Sequence, residues 1–245
     1  MDNALYVGLS RQMVLRREMD IVANNIANAD TTGFKVESLM TKEQPGPPAM
    51  TLQGPRPIKF VAADGVARDF GQGGLHRTDA PLDLGIEGQG FFKVTTAAGD
   101  RYTRDGRFRV DETGRLTTQS GQPVADESGG EITLDLEKGA ITIAADGTVS
   151  QGTERVGKVG VFKFDTLSVL EKSGDNLYQN TANSQPAPAT EARVRQGMLE
   201  SSNVQPIVEI TRMIEVSRAY EQITQMMNSE ADLSRNTITR MGRLQ

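Results

Sequence analysis

The two ends of this 245-residue chain each carry a long amphipathic helix pattern, and this feature limits the possible folds more than any other. Over residues 3–30, apolar or small side chains recur at the alternating helical spacings that place them on one face. Thr31-Thr32-Gly33 should end this helix, with Gly33 in the left-handed conformation of a C-terminal cap. Since amphipathic helices draw most of their stability from tertiary packing, both ends of the chain need partners.

The second helix pattern runs from about residue 204 to about residue 241. Ser202-Asn203 is a good candidate for its N-cap, and Pro206 lies in the predicted first turn, where a missing N–H does little harm. The apolar seams of both helices are rich in Met and small residues, which tolerate several packing environments. Pairing of the two helices within the chain would cover part of these seams, and further copies or related subunits would complete their burial. The alternative is an ordinary helical hairpin that packs on the chain's own β domain.

The middle of the chain has a different pattern, with most of the 25 glycines and many short alternating runs. The runs cover residues 82–86, 90–94, 107–110, 132–136, 141–143 and 159–164. Gly-containing turns separate them, including Asp105-Gly106 and Asp146-Gly147. Short strands with such turns predict an antiparallel β domain.

Two segments are predicted as linkers. Half of the ten prolines fall within residues 44–57, and residues 181–190 are rich in Pro, Ala, Thr and Ser or Asn. The predicted fold class is therefore α+β, with discontinuous terminal helices pairing as an α-helical coiled-coil domain and a central antiparallel β-rich domain. The predicted boundaries are 1–38 for the N-terminal helix, 39–75 for an extended Pro/Gly-rich linker, 76–180 for the β-rich domain, 181–200 for a second linker and 201–245 for the C-terminal helix.

The subunit-packing residues are predicted to lie on the two helices and at their junctions. They are Leu5, Leu15, Met19, Val22, Asn25, Ile26, Asn28, Asn203, Ile210, Met213, Ile214, Tyr220, Ile223 and Met227. The cluster of Asn24, Asn25 and Asn28 has two interpretations. These side chains cap the helix end locally, or they hydrogen-bond neighbouring subunits.

Composition and motifs argue against chemistry in this chain. It has no cysteine, which excludes disulfides and thiolate metal sites. A net charge of −5 without a basic patch argues against nucleic acid as a partner. His76 is the only histidine, so it is predicted to be a loop residue rather than a base or ligand. No catalytic, cofactor-binding or metal-binding residue is predicted, and no cofactor.

Two segments resemble a known family. The segment Ala23-Asn24-Asn25-Ile26-Ala27-Asn28-Ala29-Asp30-Thr31-Thr32-Gly33-Phe34-Lys35 resembles the N-terminal signature of the bacterial flagellar rod and hook proteins. Leu199-Glu200-Ser201-Ser202-Asn203-Val204, continuing through residues 213–221, resembles their C-terminal signature. Residues 83–92 and 102–106 are similar to the β domain of the longer members, so the resemblance spans nearly the whole chain. The opening residues 1–12 are most similar to proximal-rod members, and a distal-rod member is the alternative.

The resemblance implies a structural subunit of the flagellar basal-body rod, not an enzyme. Such subunits polymerise into a helical tube that transmits torque across the periplasm. The implied partners are other copies of the chain, other proximal and distal rod proteins and the flagellar type III export apparatus. No nucleic acid is expected as a partner, and no direct membrane insertion. Residues 1–5 lack the pattern of a cleavable signal peptide, which is compatible with export guided by an uncleaved N-terminal segment to the periplasmic rod.

Two hypotheses from other classes compete with the rod subunit. A β-rich glycan hydrolase would need two carboxylates across a cleft, and acid pairs occur at Asp111-Glu112, Asp126-Glu127 and Asp135/Glu137. These pairs lie in or beside predicted turns, where acids are common. An adhesin-like binding module with helical oligomerisation arms is the other hypothesis.

Overall fold

A computed structural model of the protein describes residues 2–51, 54–135, 138–182 and 184–242. It has a helix at each end of the chain and a central antiparallel β-rich region, which confirms the α+β class. The chain divides into two compact units. Unit 1 comprises Met1–Ala27, Glu37–Arg68 and Gln205–Gln245, and unit 2 comprises Asn28–Val36 and Asp69–Val204.

Helix α1 spans Asp2–Ala27. Its buried face includes Leu15 and Val22, which belong to the predicted packing set, together with Val14 and Ile21, which do not. The helix is shorter than the predicted 3–30, since residues 28–33 form a turn in which the Thr31 N–H donates to the Asn28 carbonyl at 3.1 Å.

Gly33 has φ +69°, so the prediction of a left-handed glycine is confirmed. Its position is also crowded, because a Cβ there would lie 2.5 Å from the carbonyl carbon of Arg104. Both the backbone conformation and the close approach therefore require glycine.

Helix α2 spans Pro206–Gly242, so Pro206 lies in the first turn as predicted, and the helix begins two residues after the predicted start near residue 204. The prediction of Ser202-Asn203 as its N-cap was wrong, because the helix starts beyond both residues. The Asn203 side chain serves unit 2 instead: its Oδ1 accepts from the Val36 N–H at 2.8 Å, and its Nδ2 donates to the Asp69 carbonyl at 2.9 Å.

Helices α1 and α2 pack against each other within unit 1. The Gln12 Nε2 donates to the Thr224 Oγ1 at 3.1 Å, and the Arg212 Nη2 lies 3.1 Å from the Glu18 Oε1. Residue numbers rise along one helix while those of their partners fall along the other. The two helices are therefore antiparallel.

Strands β1 (Glu37–Thr51) and β2 (Gly54–Arg68) form a long antiparallel hairpin that packs on α1. The hairpin occupies most of the range 39–75 that was predicted to be an extended Pro/Gly-rich linker. A two-stranded ribbon tolerates proline because each strand has a free edge. A register shift between Gly46 and Ala49 carries the chain past Pro47-Pro48.

Unit 2 is built from short antiparallel strands. They are β3 (Leu75–Arg77), β4 (Leu84–Glu87), β5 (Phe91–Thr96), β6 (Gly99–Thr103), β7 (Phe108–Val110), β8 (Leu116–Thr118), β9 (Ile141–Ile143), β10 (Thr148–Gln151), β11 (Glu154–Lys158), β12 (Val161–Lys163), β13 (Leu170–Lys172), β14 (Leu177–Asn180), β15 (Ala187–Pro188), β16 (Arg193–Gln196) and β17 (Met198–Glu200). The largest sheet of the described residues has six strands in the order β13-β14-β6-β5-β12-β15. A 3₁₀ turn, Leu167–Val169, precedes β13.

Five of the six runs predicted as strands contain or overlap a strand. The run 132–136 does not: Ile132 and Leu134 are core residues, but residues 131–135 form isolated bridges only, and residue 136 lies outside the described residues. The core has two apolar clusters. The larger is centred on residues such as Leu84, Phe92 and Val149, and the smaller is aromatic.

Candidate assembly site

The exposed large hydrophobic side chains of the described residues all belong to unit 1. They are Tyr6, Leu9, Met13, Met40, Ile207, Val208, Ile210, Ile214, Met226 and Leu233. The described surface of unit 2 has none of this kind. Since scattered apolar residues are normal but contiguous ones mark interaction sites, the candidate site lies on the helices of unit 1.

Six of these residues form two strips, each along one face of a helix. The α1 strip is Tyr6, Leu9 and Met13, which are 60%, 44% and 66% exposed. The α2 strip is Ile207, Ile210 and Ile214, which are 81%, 49% and 47% exposed. Residues three and four apart share a helix face, so each strip offers a continuous apolar surface.

The predicted packing residues divide by their burial. Leu15, Val22 and Asn25 are buried within the chain, whereas Ile210 and Ile214 are exposed. The others are intermediate: Leu5, Met19, Ile26, Asn28, Asn203, Met213, Tyr220, Ile223 and Met227. One part of the predicted set thus joins the chain's own elements, and another part remains open to a neighbour.

Asn25 is the polar junction of unit 1 and is fully buried. Its Nδ2 donates to the Glu37 carbonyl at 2.8 Å and to the Glu209 Oε2 at 2.9 Å, while its Oδ1 accepts from the Glu37 N–H at 3.0 Å. One side chain therefore ties together α1, β1 and α2. This bonding fits neither predicted role of Asn25, the local cap or the contact with a neighbour. Asn28 matches the local alternative, since its Oδ1 accepts from the Thr31 hydroxyl at 3.1 Å.

Unit 2 contains a buried charge network around Glu200. The Lys35 Nζ lies 2.6 Å from its Oε1, and the Arg104 Nη1 lies 2.9 Å from its Oε2. The Gly73 N–H also donates to Oε1 at 2.9 Å, and the Lys35 Nζ donates to the Gly71 carbonyl at 2.7 Å. All three charged side chains are at most 4% exposed.

Burial lowers the pKa of both Lys35 and Arg104, because it penalises their charged forms, and the Glu200 carboxylate opposes that shift. Sequence reasoning did not identify this network. The only signal available was that Lys35 and Glu200 both lie in the quoted signature segments, at opposite ends of the chain.

The side chains considered as catalytic candidates form hydrogen bonds to neighbouring residues that stabilise local structure. His76 lies in strand β3 rather than in the predicted loop, and its Nδ1 lies 3.0 Å from the Ser201 hydroxyl on the surface. Hydrogen bonds from Thr113 and Arg115 lower the pKa of Asp111 to about 2, in a loop between β7 and β8. The Asp126 carboxylate accepts from Ser128 and the Gly130 N–H in a similar loop. In the described part of the chain, no three His, Cys, Asp or Glu side chains are grouped as a metal site would need.

The same described residues contain no helix whose length and apolar character would suit a membrane span.

Sequence comparisons identify the family. The profile described as flagella basal body rod protein matches residues 5–35. That of the flagellar hook protein FlgE/F/G D1 domain matches residues 85–151, and that of the flagellar basal body rod FlgEFG protein C-terminal region matches residues 195–240.

Curated relatives match over the whole length. The flagellar basal-body rod protein FlgF of Caulobacter vibrioides is 57% identical over 100% of both chains. FlgF of Mesorhizobium japonicum is 33% identical over 99% of both chains. The flagellar basal-body rod protein FlgG of Bacillus subtilis is 30% identical over 94% of this chain and 96% of its own. Among these three relatives, the chain is most like a FlgF.

Unit 1 exposes apolar strips on its helices, whereas the described surface of unit 2 exposes no large hydrophobic side chain. This arrangement is typical of a subunit that assembles with neighbours. The chain belongs to the flagellar basal-body rod protein family. It is a structural subunit of the rod in the flagellar basal body, where rod proteins assemble with other axial proteins. Its relatives are structural proteins rather than enzymes, so the glycan-hydrolase and adhesin-like alternatives are not favoured.

Proposed function

We propose that this chain is a proximal-rod subunit, which polymerises with copies of itself and with other proximal and distal rod proteins into a helical tube that transmits torque across the periplasm. The observation that carries the proposal is the confinement of exposed large hydrophobic side chains to unit 1. Apolar surface of this kind is stabilised only when a neighbour covers it. The 57% identity to a full-length FlgF adds support for a position near that of FlgF proteins.

Unit 1 is the proposed assembly domain, with its helices pairing as a coiled coil within each subunit and packing against neighbours. The antiparallel contacts between α1 and α2 support the pairing. In this proposal, Leu15, Val22 and Asn25 hold the subunit's own helices together. Ile210 and Ile214 face the neighbours. The hairpin β1–β2 is proposed as an extension of the assembly domain rather than a linker.

We also propose that the chain is exported by the flagellar type III apparatus with an uncleaved N-terminal segment and that its ends fold on incorporation. The supporting observation is Asn25, whose partner Glu209 lies 184 residues later. Until the C-terminal part of the chain arrives, Asn25 can form its two hydrogen bonds with Glu37 but lacks the one with Glu209. The proposal includes no direct membrane insertion and no nucleic-acid partner, in keeping with the net charge of −5.

A deletion strain tests the rod function. Loss of this chain should abolish the hook and filament while the inner ring of the basal body remains, and the wild-type chain supplied in trans should restore both. Electron microscopy of isolated basal bodies provides the readout. Normal hooks and filaments in the deletion strain would contradict the proposal.

The position within the rod needs a separate experiment. In a strain that lacks the distal-rod protein, a proximal subunit should still be present in the isolated basal bodies, because it lies nearer the inner membrane. A distal subunit should be absent from them. Quantitative mass spectrometry of these particles, with the inner-ring protein as the internal standard, distinguishes the two positions.

A further inference from the structure

The chain passes between unit 1 and unit 2 four times, after residues 27, 36, 68 and 204. Each of these connections is a single backbone. A segment that is pulled alone separates from its unit through local opening, one hydrogen bond after another. Bonds that join the connecting segments to each other divide the force among them. In a subunit under torque, the contacts beside the connections therefore matter more than their number suggests.

In unit 2, the Asn203 side chain binds the segments that lead to three of the connections, those after residues 36, 68 and 204. Its Oδ1 accepts from the Val36 N–H at 2.8 Å. Its Nδ2 donates to the Asp69 carbonyl at 2.9 Å and to the Gly71 carbonyl at 3.2 Å. The Asp69 N–H also donates to the Val36 carbonyl at 3.0 Å. These three segments are thus held together at one side chain.

In unit 1, Asn25 has the corresponding place, two residues before the connection after residue 27. It bonds to the backbone of Glu37, the first residue after the next connection, and to the carboxylate of Glu209, within five residues of the last one. The Arg68 Nε lies 2.8 Å from the Glu37 Oε1, and Arg68 is the last residue before its own connection. All four connections are therefore joined on this side as well.

We propose that Asn25 and Asn203 are positioning residues for the transmission of force. Each binds together the segments through which its own unit is connected to the other, so that a pull on one connection is shared by several. This inference rests on the proposed rod function and names two residues on which torque transmission depends.

The amide group suits this role, because it accepts at its oxygen and donates two N–H groups from its nitrogen. It can bridge an N–H of one segment to a carbonyl or carboxylate of another. Asn25 and Asn203 each use the oxygen once and the nitrogen twice. A carboxylate at the same position would keep only the accepting half, and a methyl group would keep neither.

Gln151 of unit 2 offers a comparison inside the same chain. It is a buried amide whose Oε1 accepts from the Asp135 N–H and whose Nε2 donates to the Asp135 carbonyl, both at 2.9 Å. Both residues lie in the interior of the segment 69–204, far along the chain from its ends. Gln151 therefore stabilises unit 2 without binding a connecting segment.

Rod breakage under torque tests the proposal. Cells that carry Asn203→Ala, Asn25→Ala or Gln151→Ala swim in media of rising viscosity, and the hooks with filaments that they release are counted by electron microscopy. At the highest viscosity, both Asn variants should release at least about threefold more than Gln151→Ala, because forced unfolding follows the unfolding rate. In cells whose motor generates no torque, all three should release equal numbers.

Amide exchange of the purified full chain tests the contacts of Asn203 without a rod. Asn203→Ala should speed the exchange of residues 33–36 and 69–73 at least about tenfold, while the strands of the core keep their protection. Gln151→Ala should leave the exchange of both segments as it is in the natural chain. Hydrogen–deuterium exchange with mass spectrometry measures these peptides, and unchanged exchange in Asn203→Ala would overturn the proposal.

Equal release by Gln151→Ala and either Asn variant under torque would also overturn it. So would excess release that persists without torque, because that result indicates a defect of assembly. Where Asn203→Ala cells build too few hooks to count, Asn203→Asp and Gln151→Glu are compared instead, since each keeps its accepting oxygen and loses its donors. These negative results leave the rod function intact as long as the cells build hooks, whereas a deletion strain with normal hooks would contradict the rod function itself.

Discussion

Units 1 and 2 contrast in how they cover their apolar side chains. Unit 2 buries its aromatic and aliphatic residues in two clusters, and its described surface exposes no large hydrophobic side chain. Unit 1 buries one face of each helix and leaves the α1 and α2 strips open. A unit with a closed core is stable alone, whereas one with open strips gains stability from neighbours. The contrast supports the proposal that unit 2 folds in the monomer and that unit 1 mediates assembly.

Both units nevertheless share one feature: a buried polar side chain in an N-terminal segment hydrogen-bonds to a side chain in a C-terminal segment. In unit 1 it is Asn25, which bonds to Glu209. In unit 2 it is Lys35, which bonds to Glu200. Because a buried polar group left without its partner is costly, each unit is complete only when both ends of the chain are in place.

The largest expected contrast is in amide exchange of a dilute monomer. Residues 3–30 should exchange rapidly, while the buried strands of unit 2 should be protected by more than about 4 kcal/mol in opening free energy, or about a thousandfold in rate. The reason is that α1, although its own chain covers one face, keeps the α1 strip exposed until a neighbour covers it. Hydrogen–deuterium exchange with mass spectrometry measures both regions in one sample. Slow exchange throughout residues 3–30 would contradict late folding of the ends.

A mutation in the charge network tests the stability of unit 2. Glu200→Gln leaves Lys35 and Arg104 buried without a counter-charge, and the free energy of unfolding of unit 2 should fall by about 3–5 kcal/mol. Urea unfolding followed by circular dichroism measures it. The control is Glu87→Gln, which breaks the exposed ion pair with Arg195 and should cost no more than about 1 kcal/mol. Equal losses for both variants would argue against a special role of Glu200.

The corresponding mutation in unit 1 is Asn25→Ala. It leaves the Glu209 carboxylate and the Glu37 N–H without a buried partner, so unit 1 should lose about 2–4 kcal/mol. The effect is measured on the assembled protein, as a lower urea midpoint for dissociation of its polymers. Asn228→Ala, at an exposed position of α2, should change the stability by less than about 0.5 kcal/mol. A normal midpoint for Asn25→Ala would exclude Asn25 as the junction of unit 1.

The smallest expected effect concerns the Asp111 loop of unit 2. The Thr113 hydroxyl, followed by the Arg115 N–H, lowers the pKa of Asp111 to about 2 from the ordinary 3.8. Since the folded pKa is the lower one, the loop contributes stability at neutral pH that is lost as the pH falls from near 4 through about 2. NMR titration of the Asp111 carboxyl should give this midpoint, and Thr113→Ala should raise it. A midpoint near the ordinary value in the natural protein would contradict the hydrogen-bonded loop.

Much of the architecture could be predicted from local patterns. The apolar spacing predicts both helices, Pro206 predicts the first turn of α2, and Gly33 predicts a left-handed turn. These features depend on residues close together in the sequence, where periodicity and backbone preference act directly. The signature segments also predicted the family that the comparisons confirm.

Contacts between distant residues could not be predicted in the same way. Asparagine is a preferred residue at helix N-caps. The Asn203 side chain nevertheless bonds to the Val36 N–H and the Asp69 carbonyl. The prolines of residues 44–57 predicted an extended linker, yet the structure places residues 44–51 in β1 and residues 54–57 in its partner strand β2. A polar side chain bonds to the groups that the fold brings near it, and the local sequence pattern does not specify which groups these are.

By itself, the sequence determined that both ends are amphipathic helices, that the middle is β-rich and that the chain belongs to the flagellar rod family. Only the tertiary structure decided which part of each amphipathic face is used within the subunit and which part remains open. Periodicity gives the direction of a side chain around its own helix, but exposure depends on what packs there. Met13 and Leu15 are two residues apart in α1, yet the fold buries Leu15 and leaves Met13 66% exposed.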